Sequence, residues 1–311
     1  MQPAMPSPIE ETIADLGNSS QPLLNSRLID LSNLNSEELT VFEQAWAAME
    51  PNRRRQIVHR LVKLAEDNFE LNFDSILRGC LKDQDAKVRC KAIEGLWEND
   101  EPSLINPLIH LLEQDSSEKV QAAAATALGK FAMLAEHEKL RSCHTSRLCH
   151  TLLTTIDDKS KPVEVRRRAL EAAAPLSLPQ VKEAIMNAYQ SHNSKLRVGA
   201  IYAMGRSCGC SWLPTLLKEL ASADAEIRYE AVGACSELGE EEAAPHLIEL
   251  IKDPDTDVQL AAIQALGKIG DTEAKEHLQH CLNNPSEAIH QAAEQALQEL
   301  EAGEDPLSFR V

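Results

Sequence analysis

The stretch DTDVQLAAIQALGKIGD, residues 255–271, decides the fold. Val258, Ala262 and Leu266 recur every four residues, which puts them on one face of an α-helix. Asp255, just ahead of that run, is a side chain suited to accept bonds from the free amides of a helix start. The stretch recurs. Its pattern returns as DAKVRCKAIEGL (85–96), SEKVQAAAATAL (117–128), PVEVRRRALEAA (162–173), NSKLRVGAIYAM (193–204), DAEIRYEAVGAC (224–235) and SEAIHQAAEQAL (286–297). The aliphatic anchors are Val88, Val120, Val165, Leu196, Ile227, Val258 and Ile289, spaced by 32, 45, 31, 31, 31 and 31 residues. A period held this closely belongs to a chain of stacked units, in which each repeat contacts only its neighbours.

Each unit reads as two helices joined by a short acidic turn. An apolar-periodic stretch such as APHLIELI (244–251) or LPTLLKEL (213–220) precedes the quoted segment. Four residues after each anchor stands an alanine (Ala92, Ala124, Ala169, Ala200, Ala231, Ala262, Ala293), small enough for a neighbouring helix to approach. Gly129, Gly205, Gly239, Gly267 and Gly270 fall near helix ends, where left-handed backbone is expected to be cheap for glycine. Residues 36–69 form two helices without the motif and are read as an N-terminal cap. Residues 1–35 are read as a flexible tail, 70–301 as the repeats with an insertion near 131–161, and 302–311 as a C-terminal tail.

These runs, of which DTDVQLAAIQALGKIGD is the clearest, resemble the bacterial HEAT-like repeats of the phycobilisome-lyase type over roughly residues 70–300. The resemblance implies an all-α fold, a right-handed α-α superhelix (HEAT/armadillo-like solenoid) of about eight helical pairs, with second helices lining the concave surface. It also implies one activity to weigh, a bilin lyase or chromophore-delivery subunit, although nothing in the chain marks a bilin-ligating residue.

Charge narrows the function classes. Lys plus Arg total 31 against 49 Asp plus Glu, a formal net charge of −18. That field repels phosphate backbones and anionic lipid, so nucleic acid and membrane are excluded as expected partners. The beginning of the sequence carries no basic, apolar leader and no stretch approaches a membrane span, so a cytoplasmic protein with reduced thiols is expected.

The insertion holds most of what could be reactive. His137, Glu138, Cys143, His144, Cys149 and His150 crowd into its centre. Zinc sites space ligands two to four residues apart so that both reach one tetrahedral ion, and Cys143-His144-x4-Cys149-His150 does not fit. Leu148, Leu152, Leu153 and Ile156 predict a helix from about Thr145, with Cys149 on its buried side and His150 about 100° away. Deoxyhypusine hydroxylases are HEAT-like enzymes that hold two irons with several His-Glu pairs, whereas this sequence has only His137-Glu138. Cys208-Gly209-Cys210 reads as a pair of loop thiols. No metal, cofactor or catalytic residue is assigned.

A binding surface is the better expectation. Positions two and six after each anchor lie nearly opposite the buried stripe. There Val198, Tyr202, Tyr229 and Leu260 would form an apolar, aromatic strip, with Arg167 and Glu171 beside it. The chain is therefore read as a non-enzymatic scaffold or adaptor that holds another protein or peptide along this groove, with no small molecule required. Arg89, Arg166, Arg197 and Arg228, which follow four anchors, are expected to pair with turn aspartates of neighbouring repeats.

Overall fold

The computed structural model describes residues 8–304, apart from 208 and 271. Among these the secondary structure is helical throughout, and it divides into two compact units at Phe131 and Ala132. The first unit holds α1 (Pro8–Gly17), α2 (Asn25–Ile29), α3 (Ser36–Ala48), α4 (Pro51–Asp67), α5 (Asp74–Cys80), α6 (Ala86–Gly95), α7 (Ile105–Gln114) and most of α8 (Glu118–Glu136). The second unit holds α9 (Ser142–Asp157), α10 (Val163–Ala173), α11 (Pro179–Tyr189), α12 (Ser194–Arg206), α13 (Leu213–Glu219) and α14 (Ala225–Leu238). It continues with α15 (Ala244–Leu250), α16 (Thr256–Ile269), α17 (Thr272–Cys281) and α18 (Glu287–Glu304).

The sequence period becomes two layers in the second unit. The second helices α10, α12, α14, α16 and α18 pack side by side, each also packed against the first helix of its own pair from α11/α12 onward. All seven anchors are buried, and every alanine four residues on is fully buried. Side-chain caps form where the turn chemistry calls for them. Asp85, Asn193, Asp224 and Asp255 each accept a bond from an amide in the first turn of the helix that follows.

In four of the repeats the residue after the anchor ties the turn down. Arg89, Gln121, Arg228 and Gln259 all donate to the carbonyl six residues earlier, at Asp83, Asp115, Ser222 and Asp253. In the first unit Arg89 also forms a two-pronged ion pair with Asp115, at 2.7 and 2.8 Å. In the second, Arg228 does the same with Asp253 at the same distances. The expected ladder is thus present at two of the four arginines. Arg166 instead donates to the Ile156 carbonyl, and Arg197 lies 3.7 Å from Glu219. Glu219 is buried and accepts the Tyr189 hydroxyl at 2.5 Å.

Three expectations are corrected. Residues 8–35 are not a flexible tail: α1 packs on α3 and α2 on α4, burying Ile13, Leu16, Leu28 and Leu31. Arg53, itself buried, donates to the Leu16 and Gln21 carbonyls and fixes this pair in place. The insertion near 131–161 is absorbed by lengthening α8 to 19 and α9 to 16 residues. At its turn Glu138 takes left-handed backbone (φ 57°) and Lys139 donates to the Leu134 carbonyl, a helix-ending pattern. Residues 302–304 continue α18, while 305–311 lie outside the described residues.

Glycine also serves a different purpose than expected. Among the described glycines only Gly239 is left-handed, with φ 70°. Gly205 and Gly267 sit inside α12 and α16, nine residues after their anchors. A Cβ on Gly205 would lie 2.6 Å from the Ala234 Cα, and one on Gly267 would lie 2.7 Å from the Ala296 Cα. Missing side chains let consecutive second helices touch backbone to backbone. The partners, Ala234 and Ala296, belong to a row of small residues seven after each anchor.

Candidate partner-binding groove

The exposed face of the second helices in the second unit carries two adjoining cavities. One, of about 600 Å³, is lined by Tyr202, Tyr229, Gln264 and Gln295 from four successive second helices. The other, of about 610 Å³, is lined by Tyr229, Leu260, Gln264, Glu226, Asp255 and Asp257. Tyr229 and Gln264 border both. Five of the lining side chains (Tyr202, Tyr229, Leu260, Gln264 and Gln295) come from the positions two and six residues after an anchor, because a helix with buried stripe at 0, 4 and 8 turns those positions outward. Tyr202 is 41% exposed and Tyr229 47%, while Gln264 and Gln295 are exposed and Leu260 is half-buried.

Val198 does not belong to this surface. It is 2% exposed, so the expectation that it forms part of an apolar strip is corrected. The Arg167 side chain crosses from α10 onto α12 at the neighbouring Gly199, where an added Cβ would lie 2.5 Å from the Arg167 Cγ. Arg167 and Glu171 are half-buried in a charge network of their own. Arg167 donates to Glu164 at 2.7 Å and to Glu171 at 3.0 Å, and Arg168 reaches the same two carboxylates. Burial pushes the Glu171 carboxyl above its ordinary range, against the pull of Arg167 and Arg168. Glu230, on α14, is raised by burial and then by the charge of Glu171. Neither Arg167 nor Glu171 is among the residues that line the two cavities, and their hydrogen bonds are used on each other, on Glu164 and on Arg168.

The far rim follows a rule that the sequence reading missed. Ten residues after successive anchors stand Arg206, Glu237, Lys268 and Glu299, alternating in sign, and all four line the first cavity. Arg206 and Glu237 form an ion pair at 3.2 Å. The near rim is different: Glu226 and Asp257, each one residue before an anchor, border the second cavity. Extending the reading of rows to every position of the repeat would have found both rims.

The His and Cys residues of the insertion are not gathered. His137 and Glu138 are exposed in the turn after α8, Cys143 and His150 are exposed on α9, and His144 and Cys149 are half-buried. The helix begins at Ser142 rather than near Thr145, and its buried side is Leu148, Thr151, Leu152, Thr155 and Ile156. Cys149 flanks that side without joining it. Among the described residues no three His, Cys, Asp or Glu side chains are placed to hold a metal ion. Cys210 donates its thiol to Glu240 at 2.7 Å, and Cys208 lies outside the described residues. No described helix is long and apolar enough to cross a membrane.

Comparison with known proteins agrees with this architecture. The HEAT repeats family profile matches residues 74–146 and 213–298, just over half of the chain. No curated protein sequence matches. Among solved structures, the complex of CpcE and CpcF of phycocyanin lyase from Nostoc sp. is similar at 16% identity and a TM-score of 0.55, covering 91% of this chain and 97% of that one. The YibA protein of Escherichia coli aligns at 16% identity and a TM-score of 0.46, over 79% of this chain and 96% of its own. Human deoxyhypusine hydroxylase aligns at 16% identity with a TM-score of 0.36, over 94% and 97%.

Proposed function

The chain belongs to the HEAT-repeat family, and from that premise we propose that it is a non-enzymatic scaffold or adaptor that holds a partner protein or peptide in the groove of α12, α14, α16 and α18. One observation carries the reading: two of the three tyrosines of the chain stand nearly half-exposed on a cavity of about 600 Å³. Aromatic rings held on rigid helices lose little entropy on binding and supply the anchors around which interfaces are built. The surrounding glutamines add donors and acceptors without the desolvation penalty of charge.

The test places a photo-crosslinking residue at Gln264, in the groove, and at Glu249, on α15. A partner joined at Gln264 and not at Glu249, and lost when Tyr202 and Tyr229 are both changed to Ala, is the expected result. Capture unchanged by the double substitution, with helix content intact, overturns the reading. Delivery of a bilin chromophore is the second reading, supported by the fold likeness to the phycocyanin lyase complex. Bilin absorbance that co-elutes with the protein after mixing with free bilin and gel filtration would bring it forward. The hydroxylase reading is not proposed, because the sequence has a single His-Glu pair and both members stand exposed in a turn.

A further inference from the structure

The two cavities share Tyr229 and Gln264 but not their electrostatics. In the first, three carboxylates (Glu230, Glu237, Glu299) stand with two bases (Arg206, Lys268), and one acid is paired with one base at 3.2 Å. The second has Glu226, Asp255 and Asp257 among its lining residues and no basic side chain. One repeat earlier the row of Glu226 and Asp257 carries Lys195, so the acidic stretch is local to α14 and α16. Asp255 is committed to capping α16, through the amides of Asp257 and Val258. Glu226 and Asp257 are exposed and share the near rim of the cavity that Tyr229, Leu260 and Ala261 also line.

We infer that the part of the groove around Tyr229 accepts a basic segment of the partner, with an arginine or lysine side chain laid along Tyr229 and Leu260 and its cationic end between Glu226 and Asp257. The inference rests on the groove reading above and adds the chemistry of the occupant. A long basic side chain matches both parts of the site, since its methylenes cover apolar surface while its charged head stays at the wet rim. An aromatic face attracts the same cation. An acidic or apolar occupant would leave the two carboxylates either repelled or desolvated without a partner. The balanced far rim adds register. A residue reaching the first cavity meets alternating charge and gains nothing from carrying net charge of one sign.

A phage-displayed dodecapeptide library, selected on the full chain and counter-selected on the chain with Tyr202→Ala and Tyr229→Ala, tests this directly. The expected binders carry Arg or Lys beside an aliphatic or aromatic residue. Their affinity, read by fluorescence anisotropy, should fall at least about ten-fold in Glu226→Gln/Asp257→Asn and weaken with added salt. The control is Glu241→Gln/Glu242→Gln, an equal change of net charge at exposed residues ahead of α15. It should leave affinity unchanged. Equal losses in both variants would mean attraction to bulk charge and overturn the inference. Groove-dependent binders that are neutral or acidic would also overturn it, while leaving the groove reading standing. If no binder depends on the tyrosines, the groove reading falls and the inference with it.

Discussion

Gly267→Ala is the sharpest test of how the second helices pack. The added methyl would lie 2.7 Å from the Ala296 Cα and 2.9 Å from both its Cβ and its carbonyl oxygen. Carbon atoms rest about 3.5–4.0 Å apart, so α16 and α18 would have to separate by about 1 Å. The obstructing atoms are mostly helix backbone, which cannot rotate away as a flexible side chain would. Overpacking of this kind costs about 1–3 kcal/mol. Alanine returns about 0.5–1 kcal/mol through its higher helix propensity. The net expectation is a loss of about 0–2.5 kcal/mol, centred on about 1 kcal/mol. Gly233→Ala on α14 supplies the opposite sign, because a Cβ there meets nothing within 4 Å. Only the propensity gain remains, about 0.5–1 kcal/mol of added stability. Urea unfolding followed by far-UV circular dichroism reads both, with midpoints moving in opposite directions at unchanged slope. Two shifts of the same sign would refute the claim that Gly267 is kept small by its neighbour.

Other consequences follow from the buried charges. Arg228→Ala strips a buried Asp253 of its two-pronged partner and should cost about 3–5 kcal/mol in urea unfolding; Arg206→Ala, in an exposed pair, should cost less than about 1 kcal/mol. The Arg228 guanidinium holds the Asp253 carboxyl below its unfolded value, so its contribution is present above about pH 4 and is lost as pH falls through the lower folded value. The deficit of Arg228→Ala should therefore shrink in acid, and a constant deficit down to pH 2 would contradict the assignment. Glu230 has the opposite sign: its raised folded value means its contribution is fully present below about pH 4.3 and lost as pH rises. Glu230→Gln should thus be more stable than the parent at pH 7, with the difference closing by about pH 4. Tyr189→Phe leaves the buried Glu219 without its hydroxyl donor, at a cost of about 1–3 kcal/mol in the same unfolding assay.

The repeat was legible because its chemistry is local. Anchor, alanine and capping aspartate each act within one helix, so Val258, Ala262 and Asp255 could be placed from spacing alone. The exposure of Tyr202 and Tyr229 was legible from the same geometry applied to the opposite face. Val198 was misplaced because a helical wheel sees only its own helix and not the neighbouring elements that bury this side chain. α1 and α2 went unread because each spans at most ten residues, with Ile13 and Leu16 buried on α1 and Leu28 alone on α2. Too few turns remain for a period to stand out from a Pro- and Ser-containing background. Gly205 and Gly267 carry no local mark at all, since their role depends on a distance between helices.

That distance is uneven along the groove. The glycine contacts clasp α12 to α14 and α16 to α18, the two most extensive interfaces between second helices in the second unit. The equivalent position of α14, facing its successor α16, holds Ser236 in place of glycine. The array should therefore move as two doublets joined by a softer seam, and that seam runs under Tyr229 and Gln264. Breathing of the second unit should concentrate there, widening and narrowing the cavity that holds the occupant while the doublets move as bodies. An occupant spanning Tyr202 to Leu260 would act as a splint across the seam. Its arrival should slow amide exchange most in α14 and α16, even at residues it does not touch.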